Sequence, residues 1–353
     1  MKILIIVILL LSGCGKQKNE FLISEKLWNE IFPQRWGVGE EWNKVYPILD
    51  IYYPAMKVDF FSYKNFIAAL TELKSIKLKE IASNGVVKVF RIDMKSKNLE
   101  WELLYTYSGL GTYEKEINFD HFINKPGATK KDRLRELAAF LGNISHETGE
   151  GKDTNAMALF YREELFFERF PDWGMPGHNY QDITFTNFPP SQEPCLYVEG
   201  SQKSGEVRFP MRSYHGRGPI QLSWNFNYGA MSAAVFGDKM ILLDNPNKLL
   251  ENGKYAFMAA IWFWMFPQNP KPSAHELMYQ QTFIPTHLSQ WGFGHTIMII
   301  NGGVEGDAID QGVEVKDQTV TRRIMFYKKY ANIFGIDVGV NGEQLDTKGM
   351  IAY

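Results

Sequence analysis

The chain has 353 residues and an apolar fraction of 45%, which is enough to fill the core of one large domain or two ordinary ones. Its formal net charge is −2, and Lys, Arg, Asp and Glu are dispersed along the whole sequence. This balance leaves no basic stripe that could hold a phosphate backbone, so the composition argues against a nucleic-acid partner.

The first predicted element is a leader that directs export. An apolar run over residues 3–11 runs into the tetrapeptide LSGC, residues 11–14. The run is too short to span a bilayer and is typical of a signal peptide, which we place at residues 1–13. The tetrapeptide resembles a bacterial lipobox, which implies acylation of Cys14 and a tether over residues 14–20. A cleaved signal peptide followed by an incidental cysteine is the alternative.

The leader also predicts where the protein works. We expect the mature chain to be anchored by its lipid to a membrane face of the bacterial cell envelope, outside the cytoplasm. Cys195 would then be the only cysteine in the folded part, which excludes a disulfide framework. Stability is therefore expected to come from packing.

Helices interrupted by prolines are predicted for residues 21–69, and β-structure follows. The segment SYKNFIAALTEL, residues 62–73, carries apolar residues at helical spacing. Residues 86–107 place β-branched and aromatic residues in partial alternation on both sides of the polar break KSKN, residues 95–98. This pattern predicts a β-hairpin.

A helix predicted between Lys131 and Gly149 carries the first candidate catalytic residue. Its apolar residues recur at steps of three and four and form one buried stripe. Glu147 lies in the last turn, where the helix dipole does not help a carboxylate and partial burial would raise its pKa. A raised pKa is what a general acid needs at neutral pH. A solvated glutamate at a frayed helix end is the alternative.

The same residues also resemble the start of a zinc site. His146 and Glu147 open the pattern H-E-x-x-H, but Glu150 stands at its fifth position, where a second histidine is needed. The sequence therefore predicts no metal, and it gives no sign of any other cofactor.

The segment SYHGRGPIQLSWNFNYG, residues 213–229, is the next informative stretch. Gly216 and Gly218 flank Arg217, but Gln221 replaces the third glycine of a dinucleotide-binding loop, so that interpretation fails. Polar residues then alternate with apolar ones over residues 221–228. The alternation predicts either a face of amides and a hydroxyl suited to sugars, or a plain half-buried strand.

Several motifs together resemble the family 19 glycoside hydrolases, the plant-type chitinases that also occur in bacteria. In the order and spacing of that family, the chain carries ELAAFLGNISHETGEG, YHGRGPIQLSWNFNYG, AIWFWM, PKPSAHEL, GFGHTIMIINGGVEG and RRIMFYKKY, over roughly residues 132–335. Upstream, FFSYKNFIAALTEL is similar to an early aromatic helix of the family. The region around residues 75–120, which contains the hairpin, then looks like an insertion.

The resemblance implies a mainly α-helical, two-lobed, lysozyme-like fold with a central cleft. It also implies inverting hydrolysis of β-1,4-linked N-acetylglucosamine by an acid and a base whose carboxyl groups lie roughly 6.5 to 9.5 Å apart. Glu147 corresponds to the family's general acid. For the base, the segment LFYREEL offers Glu164, which we prefer, or Glu163, and Glu199 is a third candidate.

Other roles follow from the resemblance, position by position. Ser223 corresponds to the serine that helps to hold the attacking water. Arg323 corresponds to a residue of the far cleft wall, where it could pair with the base or its neighbours. His146 is expected to orient or pack beside Glu147, and Arg217 to hold its turn by binding backbone carbonyls. The substrate-binding candidates are His146, Gln221, Trp224, Asn227, Lys271, Asn301 and Arg323.

We therefore expect one catalytic domain over residues 21–345, acting as a monomer on a sugar polymer. Two other function classes stay open. An enzyme that cleaves peptidoglycan would use the same two carboxyl groups, and a lipoprotein facing the cell wall could meet that substrate. A carbohydrate-binding protein without activity would keep the cleft after losing a carboxylate, but the presence of Glu147 and a downstream glutamate pair favours catalysis.

Overall fold

The structure is a computed structural model that describes residues 21–33, 35, 59–97, 99–149, 158–160, 162–164, 214–279, 291–306 and 315–350. The predicted leader with Cys14, the zinc-pattern residue Glu150, the single remaining cysteine Cys195 and the third base candidate Glu199 lie outside these residues. Within the described ranges, no helix is both long enough and apolar enough to cross a membrane.

Helices are the main secondary structure of the described chain, as predicted. They are α1 (Glu25–Ile31), α2 (Tyr63–Leu73), α3 (Lys130–Thr148), α4 (Asn225–Phe236), α5 (Met240–Asp244), α6 (Lys248–Glu251), α7 (Gly253–Met265), α8 (Ala274–Met278), α9 (Phe293–Glu305) and α10 (Val315–Phe334), with a single 3-10 turn at Phe119–His121. The predicted helix over residues 62–73 is α2, for which Ser62 is the N-cap.

Helix α3 is the central element and carries Glu147 near its C-terminal end. Thr129 and Asp132 form a capping box at its start, in which each side chain accepts a hydrogen bond from the other residue's backbone N–H. The predicted apolar stripe is buried, but burial extends beyond it, because every residue from 136 to 145 is buried. Neighbouring helices therefore surround α3 and hold its last turn in a fixed place.

Close contact between α3 and α10 depends on a glycine. A Cβ atom on Gly142 would lie 3.1 Å from the Cα atom of Tyr327, so a larger residue would require the two backbones to separate by a few tenths of an ångström. Helix α10 packs along α3, and α9 packs against both. This arrangement places Arg323 of α10 beside the C-terminal end of α3.

The predicted hairpin exists, but it is part of a larger sheet. Four antiparallel strands, β1 (Ile76–Ser83), β2 (Val86–Asp93), β3 (Glu102–Ser108) and β4 (Tyr113–Asn118), pair in the order β3-β2-β1-β4. The hairpin predicted for residues 86–107 corresponds to β2 and β3, and β1 and β4 were not predicted. Side chains of the sheet share one continuous hydrophobic core with the helices.

Candidate active site

A cavity of about 500 Å³ lies where the end of α3 meets residues 162–164, the segment 216–227 and helix α9. Eight of the predicted site residues line it: Glu147, Glu163, Glu164, Gln221, Ser223, Trp224, Asn227 and Asn301. The other three, His146, Lys271 and Arg323, do not line it but bind residues close to it. The structure therefore brings the predicted site together in one place.

Glu147 is paired with a buried arginine. Nη2 of Arg323 donates a hydrogen bond to Oε1 of Glu147 at 2.5 Å, and Arg323 itself is completely buried. The prediction considered the helix dipole and partial burial, and the structure adds a cation at hydrogen-bonding distance of Glu147. We also predicted that Arg323 could pair with the base or its neighbours, and it is found instead on the acid candidate.

Arg323 holds a second carboxylate on the same guanidinium. Its Nε and Nη2 atoms donate to the two carboxylate oxygens of Glu305 at 2.6 and 3.0 Å, and Nη1 donates to Oδ1 of Asn143 at 3.2 Å. Burial opposes ionisation of Glu305, but the charge and hydrogen bonds of Arg323, with help from His146, lower its pKa to about 2. Glu305 therefore stays ionised and fixes the orientation of Arg323.

His146, which was predicted to orient or pack beside Glu147, contacts Glu305. Its Nε2 atom lies 3.6 Å from Oε1 of Glu305, so the residue that it orients is Glu305. Sequence reasoning missed Glu305 and Asn143. Both lie inside quoted motifs, but no spacing rule indicates that they share an arginine.

Glu163 is bound inside a small buried cluster. Its Oε2 atom lies 2.9 Å from Nε2 of His215 and 3.9 Å from Nε of Arg217. Burial raises the pKa of Glu163 despite the nearby arginines, and burial together with Arg217 holds the pKa of His215 far below its usual range. His215, which sequence reasoning also missed, is therefore neutral at pH 7.

Arg217 makes stronger contacts than the predicted ones. Its guanidinium donates to the hydroxyl of Tyr228 at 2.9 Å and to Oδ1 of Asn247 at 2.7 Å, while its bond to the carbonyl of His215 is 3.4 Å long. The prediction that it binds backbone carbonyls is met by its contact with the carbonyl of His215. Its main effect is to join α4 and α6 to the cavity wall.

Glu164 is hydrogen-bonded to the backbone of Gly216. Its Oε2 atom accepts a hydrogen bond from the N–H of Gly216 at 3.2 Å, and its own N–H donates to the carbonyl of Gly216 at 2.8 Å. Burial raises the pKa of Glu164, the Gly216 N–H lowers it, and the negative charge of Glu147 raises it. Glu147 and Glu164 are therefore close enough to influence each other electrostatically.

The segment 221–224 has a strained backbone rather than that of a half-buried strand, one of the two interpretations of its alternation. Gln221 and Trp224 have positive φ angles of 51° and 75°, and α4 begins at Asn225. The alternation of polar and apolar residues therefore does not reflect a β-strand. Strain of this kind persists only where surrounding contacts hold it, and it is concentrated at functional sites.

Hydrogen bonds to neighbouring groups fix the polar side chains on this wall. Oγ of Ser223 donates to the carbonyl of Gln221 at 2.9 Å, and Nε2 of Gln221 donates to the carbonyl of Gly218 at 2.8 Å. Nδ2 of Asn227 donates to the carbonyl of Ser223 at 2.9 Å. Across the cavity, Asn301 interrupts α9 with a non-helical φ of −144°.

Lys271 does not line the cavity but lies in a turn, residues 268–271, that is hydrogen-bonded to the cavity wall. Its backbone pairs with that of Gln268, whose Nε2 atom donates to Oδ1 of Asn227 at 2.9 Å. Burial lowers the pKa of Lys271. In the described part of the chain, no group of three or more His, Cys, Asp or Glu side chains is placed to hold a metal ion.

Comparison with known proteins identifies the family of the chain. The model of the family 19 glycoside hydrolases, described as class I chitinase, matches residues 102–346. Chitinase 10 of Oryza sativa subsp. japonica is 38% identical over 218 residues, which cover 59% of this chain and 63% of that protein. Endochitinase A2 of Pisum sativum is 37% identical over 246 residues, which cover 67% of this chain and 63% of that protein.

A third relative has a different name. Inactive chitinase-like protein 1 of Hevea brasiliensis is 37% identical over 219 residues, which cover 59% of this chain and 58% of that protein. The chain thus spans 58 to 63% of the length of these three relatives.

Solved structures show the same fold. A mutant of chitinase C aligns with a TM-score of 0.51 at 22% identity, covering 93% of this chain and 99% of the other. Chitinase C from Streptomyces griseus HUT6037 aligns with a TM-score of 0.50 at 22% identity, covering 92% and 80%. Because the family model matches most of the sequence, the chain belongs to glycoside hydrolase family 19, the class I chitinases.

Proposed function

We propose that this protein hydrolyses β-1,4-linked N-acetylglucosamine polymers with inversion, using Glu147 as general acid and Glu164 as general base. The observation that carries the proposal is that both carboxyl groups line one cavity together with Ser223, Gln221 and Asn227. Inversion requires two carboxyl groups, one for the leaving oxygen and one for a water on the opposite face of the sugar. The names of the chitinase relatives support the substrate class.

Arg323 suits Glu147 to the role of acid. When Glu147 carries a proton, the remaining pair of Arg323 and Glu305 has no net charge. When the proton passes to the glycosidic oxygen, Nη2 of Arg323 is already in place at 2.5 Å to stabilise the carboxylate that forms. A preorganised charge aimed at a group that ionises in the transition state lowers the barrier to proton transfer.

The contacts favour Glu164 over Glu163 as the base. The carboxylate of Glu163 is already bound to His215 and lies near Arg217. Glu164 instead receives one backbone N–H and responds to the charge of Glu147. Its pKa, raised by burial, makes the carboxylate a stronger proton acceptor once it is ionised.

Ser223 is suited to hold the attacking water. Because its hydroxyl hydrogen is donated to the carbonyl of Gln221, its oxygen remains available to accept a hydrogen bond. The amide groups of Gln221, Asn227 and Asn301 line the same cavity and can bind sugar hydroxyls and N-acetyl groups.

The experiment is hydrolysis of the N-acetylglucosamine hexamer, with the anomeric protons of fresh product followed by NMR. Initial α-anomer would support inversion, and initial β-anomer would refute it. Glu147→Gln should lower kcat by at least about 10²-fold while the hexamer still binds. An active variant would remove Glu147 from the role of acid.

A matched pair of variants tests the base. Glu164→Gln should lower kcat by about 10²-fold or more, whereas Glu163→Gln should cost less than about 10-fold. The reverse order would assign the base to Glu163. Equal and mild losses would point to Glu199.

A carbohydrate-binding protein without activity is the second candidate, because one relative at 37% identity is named as inactive. Binding of the hexamer without any product would favour this function.

Peptidoglycan fragments should be tested as substrates in the same assay, since the same two carboxyl groups could cleave them. We further propose that Cys14 is acylated and anchors the protein in the bacterial cell envelope, a proposal that rests on the lipobox-like tetrapeptide LSGC.

A further inference from the structure

The four-stranded sheet takes no part in the proposed chemistry, yet it is hydrogen-bonded to a turn that lies beside the cavity. This turn consists of residues 268–271. The N–H of Gln268 donates to the carbonyl of Lys271 at 3.0 Å, and the N–H of Lys271 donates back at 2.7 Å. The turn lies between the sheet and the cavity wall, and it is hydrogen-bonded to both.

Asn269 binds the turn to the sheet. Its side chain is completely buried, and its Oδ1 atom accepts from the N–H of Leu110 at 2.8 Å. Its Nδ2 atom donates to the carbonyl of Leu110 at 2.8 Å and to the hydroxyl of Tyr113 at 2.9 Å. The amide therefore pairs with the connection between β3 and β4 much as a neighbouring strand would.

Gln268 binds the turn to the cavity wall. Its Nε2 atom donates to Oδ1 of Asn227 at 2.9 Å, and Nδ2 of Asn227 donates to the carbonyl of Ser223 at 2.9 Å. Both ends of the Asn227 amide are therefore engaged, which fixes its orientation. Tyr105 and Tyr107 of β3 lie next to Gln268 and Asn227 around a small cavity of about 10 Å³.

The wall needs this support because its backbone is strained. Ser223 lies between Gln221 and Trp224, which both have positive φ, and α4 starts without a side-chain cap. For a residue other than glycine, a positive φ costs roughly 1 to 3 kcal/mol, and this conformation persists only when surrounding contacts impose it. The bond from Asn227 to the carbonyl of Ser223 is one of the contacts that impose it.

We propose that Asn269 is a positioning residue that couples the sheet to Ser223 and Asn227 through Gln268. The sheet is then a supporting part of the site and not an independent appendage. The kinetic consequence rests on the proposed function, since only an enzyme has a water to hold at Ser223. The structural consequence, a loosened segment 221–228, does not depend on hydrolysis.

Hydrogen–deuterium exchange of the full chain tests the structural consequence. In Asn269→Ala, the amides of Leu222 and Trp224, which donate to the carbonyls of Arg217 and Tyr214, should exchange about ten-fold faster, the effect of losing roughly one hydrogen bond. Ile117→Ala is the control, since it removes buried carbon from β4 without touching any of these hydrogen bonds. It should leave peptides covering 218–228 unchanged.

Asn269→Asp covers the possibility that the alanine variant does not fold. Aspartate keeps the acceptor for the N–H of Leu110 but cannot donate to its carbonyl. It should also accelerate exchange in the peptides covering 218–228. If neither variant accelerates exchange there, or if Ile117→Ala does so equally, the positioning role is overturned whether or not the protein hydrolyses chitin.

Kinetics then test the route. In an active protein, Asn269→Ala and Gln268→Ala should each lower kcat for the hexamer by about ten-fold, and the double variant should lose no more than the worse single variant. Multiplying losses would mean that Asn269 does not act through Gln268. A wild-type protein that is inactive but shows the exchange effect would refute the proposed function alone.

Discussion

Replacing Glu80 with glutamine should remove a pH-dependent loss of about 3 kcal/mol in the free energy of unfolding. Glu80 lies in β1, completely buried, and its pKa is raised from 4.5 to about 7. Burial is the largest cause. Hydrogen bonds from the hydroxyls of Tyr107 and Tyr113 and the charge of Lys115 oppose it, while Glu276 adds to it.

The magnitude follows from the difference between the two pKa values. Each unit corresponds to about 1.36 kcal/mol, so a shift from 4.5 to about 7 corresponds to about 3 kcal/mol. The folded protein binds this proton more tightly than the unfolded chain does. The stabilisation is therefore complete below about pH 4.5 and is lost as the pH rises through about 7.

The assay is denaturant unfolding of the wild type and Glu80→Gln at a series of pH values from about 4 to about 8. Glutamine resembles the protonated carboxyl group and does not titrate. Any change in hydrogen bonding therefore shifts the stability of the Glu80→Gln variant by the same amount at every pH. The stability of the wild type relative to the variant should fall by about 3 kcal/mol across the series.

Glu116 provides the control, since it lies on β4 of the same sheet with an exposed side chain. Glu116→Gln should leave the pH dependence of the wild type unchanged. A constant difference between the wild type and Glu80→Gln, or a difference that rises with pH, would refute the assignment of a proton to Glu80.

Three further predictions concern the site and the leader. Arg323→Ala leaves two carboxylates without their cation and should cost about 3 to 5 kcal/mol, seen as a lower melting temperature, and an unchanged melting temperature would contradict the pairing. Gly216→Ala places a Cβ 2.9 Å from Oε1 of Gln221 and should raise KM for the hexamer, whereas Gly303→Ala, where a Cβ meets nothing within 4 Å, should not. Cys14→Ala should move the protein from the membrane to the soluble fraction, and continued membrane association would argue against a lipid anchor.

Local patterns predicted the helix that carries Glu147. The helix predicted between Lys131 and Gly149 agrees with α3, Lys130–Thr148, within one residue at each end, and its apolar stripe is buried. What the pattern did not reveal is that polar residues on the other face are buried too. Glu136, on which no prediction was made, is completely buried, and its carboxylate accepts hydrogen bonds from Trp264 and Tyr279.

The two missed strands have a clear physical reason. Inward positions of β1 are Ile76, Leu78, Glu80 and Ala82, and the charged residue interrupts the apolar alternation that marks a strand. Lys115 interrupts β4 in the same way, and it stands directly opposite Glu80 in the register of the sheet. Each charge is compensated by partners that are distant in the chain: Tyr107 and Tyr113 bind Glu80, and Glu276 binds Lys115. Such partners cannot be identified from the local sequence pattern.

The contacts within the site show the same limit. Family resemblance selected Glu147, Glu164 and Arg323, but no spacing rule links Arg323 to Glu305, or Glu163 to His215. These pairs join residues 18 and 52 positions apart. The packing of α9 against α10 brings Glu305 to Arg323, and backbone pairing of residues 162–164 with residues 216–218 brings Glu163 to His215.

Burial alone does not decide the charge of a glutamate in this protein. Glu80 and Glu305 are both almost completely buried, yet the pKa of Glu80 is raised to about 7 and that of Glu305 is lowered to about 2. The difference is the guanidinium of Arg323, which bonds both oxygens of Glu305. Since Glu147 shares that guanidinium and Glu164 is bound by the backbone N–H of Gly216, the proposed acid and base have different partners. In the proposed reaction, Arg323 is placed to stabilise the carboxylate that Glu147 becomes when it donates its proton, and Glu164, whose pKa is raised by burial, is placed to accept one.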